Sequence, residues 1–279
     1  MNPFSSAILT FLATVLGNSA LAKPPPEGSH YVALGSSFAA GAGIGTIKPD
    51  APVRCGRSAE NYASLLAARL RLTLDDQTCN GARTPHLLGN WNELAAQLDA
   101  VRPDTRLVTA TIGGNDLNYA GYLLGTGCGA DKMLSIRGVK MACPPRDIPT
   151  EGDYAVLERT MRQIVRQVKL RAPHARFIFV QYVTLVPQRP CGAASLSPEQ
   201  ASVARTIGRR LAAITARVAR LEGAEILAAD RLSRHHTPCD AEPWSIGWQE
   251  MPGHNGLLWH PTRLGHAEIA YALLRWLRH

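Results

Sequence analysis

Short apolar runs alternate with long amphipathic helices along this chain, and that alternation limits the folds open to it more than any single motif. Residues 31–34 read as a buried strand, and residues 107–112, 177–183 and 225–227 as further strands. A helix over 58–70 places Tyr62, Leu65, Leu66 and Leu70 on one face. A second, over 153–170, turns Val156, Met161, Ile164, Val165 and Val168 inward. A third starts from the capping box Ser197-Pro198-Glu199-Gln200 and repeats Val203, Ile207, Leu211, Ile214, Val218 and Leu221 at helical spacing. Its Arg205, Arg209, Arg217 and Arg220 read as a solvated face. A last helix over 261–277 closes the chain. Strand–helix–strand units of this kind build a mainly parallel sheet covered by helices on both sides, an α/β fold. With 279 residues and 46% hydrophobic content, the chain can bury the core of one such domain.

The first 22 residues carry no charged side chain, hold an apolar run over 7–16 and end in Ala20-Leu21-Ala22 before Lys23. They read as a signal peptide with a small-x-small cleavage site, although the basic start of such a leader is missing. An uncleaved membrane anchor is the competing reading. No later stretch approaches the roughly 20 apolar residues of a membrane helix. The mature chain is therefore expected to be soluble and secreted or periplasmic, with a Pro-rich lead-in over 23–30 and one domain over 31–279.

Six cysteines, Cys55, Cys79, Cys128, Cys143, Cys191 and Cys239, include no CxxC pair. An even count in an exported chain suggests disulfides and leaves the pairing open. Their wide, irregular spacing argues against zinc, and the pair His235-His236 lacks a companion carboxylate motif. No metal or organic cofactor is expected. The net charge of +8 stays with the mature chain. It either draws the protein transiently to anionic surfaces or only keeps it soluble. With no block of like charge and no aromatic-basic interleaving, nucleic acid is excluded as a partner. Segments 117–149 and 231–258 break the strand-helix rhythm and are long enough to wall a site. Their Tyr119, Tyr122, Trp244 and Trp248 are either apolar walls or plugs beneath the loops.

The run Gly35-Ser36-Ser37-Phe38-Ala39-Ala40-Gly41 follows the first strand directly and puts a small hydroxyl nucleophile on the turn leaving it. Open α/β folds bind ligands at that edge. After the second strand, Gly113-Gly114-Asn115 lets backbone approach a ligand, and the Asn115 amide can donate to an oxygen that becomes negative. Gly81, in Cys79-Asn80-Gly81-Ala82, can offer a backbone N–H to the same oxygen. His260, ahead of Pro261 at the entrance of the closing helix, is a candidate general base for the serine. His266, inside that helix, reads as structural.

These four blocks, Gly-x-Ser, Gly, Gly-x-Asn and His-Pro, occur in the order found in the SGNH hydrolases, also called GDSL-type esterases and lipases. The chain resembles that family across nearly all of residues 31–270. The resemblance implies a three-layer α/β/α, flavodoxin-like sandwich with a five-stranded parallel sheet, and a secreted esterase or lipase acting as a monomer on small-molecule or lipid esters. It assigns Ser37 as nucleophile, His260 as base, and the Ser37 N–H, Gly81 and Asn115 as the oxyanion hole. The Gly-x-Ser-x-Gly elbow of α/β-hydrolases is absent, since position 39 is Ala39.

The chain departs from the family pattern twice. Ser36 stands where most members carry Asp, and Leu257 stands three residues before the histidine, where the acid belongs. The Leu257 backbone carbonyl is then the expected acceptor for the imidazole, giving a Ser-His dyad. A loop carboxylate from Asp230, Asp240, Glu242 or Glu250 is the rival. Resemblance to a secreted three-disulfide subgroup implies the bridges Cys55–Cys79, Cys128–Cys143 and Cys191–Cys239. Phospholipid and acetylated carbohydrate are alternative substrates. A non-catalytic module binding lipid or cell envelope is the alternative of another class.

Overall fold

The computed structural model describes residues 24–129, 131–136, 139–189, 191–248 and 256–278. The expected leader over 1–22 and Glu250 lie outside them. The first strand, β1 (His30–Gly35), is buried along its whole length. It leads through the single turn α1 (Ser37–Ala40) to α2 (Tyr62–Leu70), β2 (Thr73–Asp76), the short α3 (Pro85–Leu88) and β3 (Thr105–Thr111). Next come α4 (Tyr119–Thr126) and a two-stranded antiparallel hairpin, β4 (Met133–Ile136) and β5 (Val139–Ala142). The chain then runs through α5 (Glu151–Arg171), β6 (Arg176–Val180), α6 (Pro198–Glu222), β7 (Glu225–Leu227), α7 (Ala229–Leu232) and α8 (Arg263–Arg278).

Five strands form one parallel sheet in the order β2-β1-β3-β6-β7. Connections from β1 run outward in opposite directions. Right-handed crossovers therefore place helices on opposite faces, where α2 packs with α8 and α5 with α6. Tyr31 to Leu34 are fully buried because both faces of this inner strand are covered, which explains a continuous apolar run in place of alternation. Among the described residues, no helix is long and apolar enough to cross a membrane.

β2 has no counterpart among the strands read from apolar runs. Its sequence, Thr-Leu-Asp-Asp, has a weak propensity for strand; it pairs on one side only, with register His30↔Thr73 to Ala33↔Asp76. Asp76 is buried and bonded to Lys48 Nζ (2.6 Å), Asn61 Nδ2 (2.8 Å) and Thr78 Oγ1 (2.6 Å), so its charge is matched where the strand ends.

Helix ends follow local chemistry. Helix α2 starts at Tyr62, later than the spacing suggests, because the Asn61 side chain accepts from Ser64 N–H and caps it. Capping boxes Thr150/Asp153 and Ser197/Gln200 open α5 and α6. Val156 is 51% exposed, since the buried stripe of α5 runs through Tyr154, Leu157, Met161, Ile164, Val165 and Val168 and leaves position 156 about a quarter-turn away. Leu221, in the last turn of α6, is likewise 52% exposed. Helix α8 begins at Arg263 with Thr262 Oγ1 accepting from Gly265 N–H (2.9 Å), so Pro261 precedes the helix and is not its first residue. Disulfides join Cys55 to Cys79, Cys128 to Cys143 and Cys191 to Cys239.

Candidate active site

The nucleophile turn is held from three sides. Gly35 ends β1 with φ +139°, and a Cβ there would lie 2.4 Å from the Thr111 carbonyl oxygen, so no other residue fits without moving β3. The Gln97 side chain clamps the Gly35 peptide groups: its Oε1 accepts from Gly35 N–H (2.8 Å) and its Nε2 donates to Gly35 O (3.1 Å). Ser36 N–H donates to Thr111 O (3.0 Å). The two adjacent hydroxyls then part. Ser36 Oγ lies 3.1 Å from Tyr182 Oη, whereas Ser37 Oγ lies 2.8 Å from His260 Nε2. Tyr182 Oη also accepts from Gly114 N–H (2.9 Å), so one phenol links the turn after β1 to the turn after β3. Burial pushes the Tyr182 pKa up, which keeps the phenol neutral and able to donate.

His260 is held by a backbone carbonyl, but that of Leu258, whose oxygen lies 2.8 Å from Nδ1. This corrects the expectation placed on Leu257. The Leu257 carbonyl instead accepts from the His260 backbone N–H (3.1 Å) and closes a tight turn. Trp259, the third residue of that turn, has φ +58°, a left-handed conformation costly for a large side chain. It is locked by complete burial and by edge-on contact with Trp248 at 5.8 Å. The turn brings the next carbonyl along the chain under the imidazole.

With Nδ1–H donating to Leu258 O, Nε2 presents its lone pair to the Ser37 hydroxyl. Burial lowers the His260 pKa, an effect that the Leu258 bond opposes in part, so the ring is neutral at pH 7. Phe38 packs against it at 4.7 Å. Both ring nitrogens are thus engaged, and among the described residues no carboxylate reaches them. Asp240 accepts from Thr237 N–H and Oγ1–H (both 2.7 Å), and neither Asp230 nor Glu242 bonds to His260.

Gly81, at φ +78°, sits in the loop after β2, whose position the Cys55–Cys79 bridge and the bond from Cys79 N–H to Gly35 O (3.0 Å) fix beside the serine turn. Asn115 Nδ2 donates to Ala82 O (2.9 Å), next to Gly81. Its neighbour Asp116 accepts from Thr84 N–H (3.0 Å) and Thr84 Oγ1–H (2.5 Å), tying the β3 loop to the β2 loop. Burial raises the Asp116 pKa against the effect of those bonds. Gly114 is small because a Cβ would lie 2.6 Å from the Tyr182 ring. The carboxyl ends of β1, β2 and β3 therefore meet in one crevice, at the point where the strand order reverses.

Three positioning groups had no signal strong enough to single them out: Tyr182 lies within the run read as a strand over 177–183, of which β6 ends at Val180, Asp116 adjoins the Gly113-Gly114-Asn115 segment, and Gln97 lies in no motif. Tyr119, Tyr122 and Trp244 are buried, Tyr119 as part of a cavity wall, and Trp248 packs on Trp259. His236 stacks on Trp244 (4.7 Å), and its Nδ1 lies 2.9 Å from Glu242 O. His266 is structural: Tyr62 N–H donates to its Nδ1 (3.1 Å), and burial depresses its pKa to about 3.

Known proteins share this arrangement of sequence and fold. Lipase 2 of Streptomyces coelicolor is 32% identical over 250 residues, covering 86% of this chain and 83% of its own. A lipase of Streptomyces rimosus is 28% identical over 269 residues, covering 95% and 92%. The crystal structure of an extracellular lipase from Streptomyces rimosus matches with a TM-score of 0.69 at 25% identity, over 90% of this chain and 100% of that one. Phospholipase A1 from Streptomyces albidoflavus matches with a TM-score of 0.71 over 90% and 100%; at 22% identity the likeness is one of fold. A family model described as GDSL-like Lipase/Acylhydrolase matches residues 33–268. The chain belongs to the GDSL-like lipase/acylhydrolase family of carboxylic-ester hydrolases.

Proposed function

We propose that the protein is an exported esterase or lipase that works through a Ser37–His260 dyad oriented by the Leu258 carbonyl. The observation that carries this reading is the continuous chain from Leu258 O to Nδ1 and from Nε2 to Ser37 Oγ, each link 2.8 Å long. Ser37 Oγ attacks the ester carbonyl carbon while its proton passes to His260 Nε2. The carbonyl oxygen becomes an oxyanion, which accepts from the Ser37 and Gly81 N–H groups and from the second hydrogen of Asn115 Nδ2. Collapse breaks the bond to the alkoxy group, which leaves as alcohol with the proton from His260. Water, activated by the same imidazole, then releases the acid and restores Ser37.

A carbonyl dipole stabilises the imidazolium less than a carboxylate does, yet it selects the same tautomer. Burial of the ring against Phe38 supplies rigidity. Lipid or other acyl esters are the substrate class the lipase relatives favour. Export is supported by the uncharged leader, by three disulfides and by the extracellular lipase among the structural relatives.

The test is hydrolysis of a panel of p-nitrophenyl esters, from acetyl to long acyl chains, by the wild type and by Ser37→Ala, Ser36→Ala and His260→Ala. Ser37→Ala and His260→Ala are expected to lose turnover and Ser36→Ala to keep it. Activity surviving in Ser37→Ala would sink the assignment.

A further inference from the structure

Beside the nucleophile turn lies a cavity of about 650 Å³, within the size range of ligand pockets. Ser37, Gly81, Asn115 and His260 do not line it; the residue it shares with the site is Tyr182. Its inner wall is apolar, formed by Tyr119, Tyr182, Val183, Leu185 and Val186, all buried. The Cys191–Cys239 bridge joins the two loops that enclose it.

The rim is cationic. Arg189, Arg205, Arg209 and Arg234 line the cavity, and all but Arg205 are exposed. Among the described residues none of the four pairs with a carboxylate: Arg205 donates to Pro187 O (3.0 Å) and Arg209 to Thr206 Oγ1 (3.0 Å). Their neighbours on α6 behave differently, since Arg210 holds Glu151 and Arg217 holds Glu158, each at 2.5 Å. The arginines of α6 that face α5 are neutralised, and those that face the cavity are not. Two carboxylates also line the cavity. Asp240 is occupied by Thr237, and Asp230 leaves Oδ1 buried without a hydrogen-bond partner, so the guanidinium charge exceeds the carboxylate charge.

We propose that this cavity binds an anionic amphiphile, with an alkyl chain on the Tyr119–Tyr182–Leu185 wall and a carboxylate or phosphate at the arginine rim. Guanidinium forks match both acid groups in geometry, and each buried methylene raises affinity by up to roughly fourfold. The occupant touches the tyrosine whose hydroxyl bonds Ser36, next to the nucleophile.

The test is isothermal titration of the Ser37→Ala protein, which turns nothing over. Decanoate and dihexanoyl phosphatidylglycerol are the anionic probes, with decanol and decyltrimethylammonium as controls, all below their micelle concentrations. Saturable one-site binding of an anion is expected, with decanol at least about tenfold weaker. The tighter of the two anions distinguishes a free acid from a lipid headgroup. Adding Arg205→Gln with Arg209→Gln should weaken the anion by about tenfold or more, and adding Asp230→Asn should tighten it. Arg205→Gln with Arg209→Gln in the otherwise wild-type enzyme should leave p-nitrophenyl acetate hydrolysis unchanged, which separates this site from the catalytic one. Binding of neither anion, equal binding of decanol, or unchanged affinity in a folded arginine double variant overturns the proposal.

Discussion

Replacing Asn115 by alanine removes two hydrogen bonds with different readouts. One hydrogen of Nδ2 goes to the carbonyl of Ala82, a residue with no solvent exposure, at 2.9 Å. Its loss leaves that carbonyl short of a partner and should cost about 1 kcal/mol of stability, a fall of about 2–4 °C in melting temperature. The other hydrogen is assigned to the oxyanion, where losing a donor typically costs about 2.7–4 kcal/mol of transition-state stabilisation. Turnover should therefore fall by about a hundredfold to a thousandfold while the protein stays folded at assay temperature. Because the oxyanion bond strengthens only in the transition state, the loss belongs in kcat and KM should change little. Asn115→Asp is the companion variant, since a carboxylate facing the oxyanion should be at least as damaging. Steady-state kinetics on p-nitrophenyl butyrate beside thermal melting reads both effects. A kcat within about threefold of wild type with the expected melting shift would show that Asn115 only holds the loop, and the oxyanion assignment would be wrong.

Tyr182→Phe removes the phenol that joins Ser36 Oγ to Gly114 N–H, and it should lower kcat by about tenfold with little change in KM; an unchanged kcat refutes the positioning role. The acid limb of the kcat/KM profile should fall below the ordinary histidine range near pH 6.5, because burial lowers the His260 pKa and the working base is its neutral form. A limb above that range contradicts the buried, carbonyl-held imidazole. His266 is depressed to about 3 when folded, so the unfolded chain takes up its proton first as pH falls. Its stabilising contribution is full above about pH 6.5 and declines by about 1.4 kcal/mol per unit down to about pH 3. His266→Gln, whose side-chain oxygen can accept from Tyr62 N–H, should flatten that decline in urea titrations across the interval; an unaltered slope shows that other groups carry it.

The α/β architecture was legible because its central strands are covered on both faces and its long helices carry clean apolar stripes. β2 escaped detection for a physical reason: an edge strand ending in two aspartates owes its conformation to pairing with β1 and to the partners of Asp76. The misplaced carbonyl at His260 has a similar origin. Which carbonyl faces His260 Nδ1 depends on the left-handed backbone of Trp259, and a tryptophan gives no local sign of that conformation. Ser37, Asn115 and His260 could be named because each lies in a short block at a strand or helix end, whereas Gly81 was named by the family's order of blocks. Tyr182 and Gln97 act through single hydrogen-bonding groups brought in from distant turns, and nothing in their own neighbourhoods marks them.

The central claim, that His260 activates Ser37 without a carboxylate, is tested most directly by the rate and position of phosphonylation with a fluorophosphonate ester, followed by peptide mass spectrometry. The account predicts label on Ser37 alone in the wild type, with the rate collapsing in His260→Ala and staying within about threefold in Asp230→Asn, Asp240→Asn and Glu242→Gln. Label on Ser36, a wild-type rate in His260→Ala, or a collapse on neutralising any one of those carboxylates would contradict it.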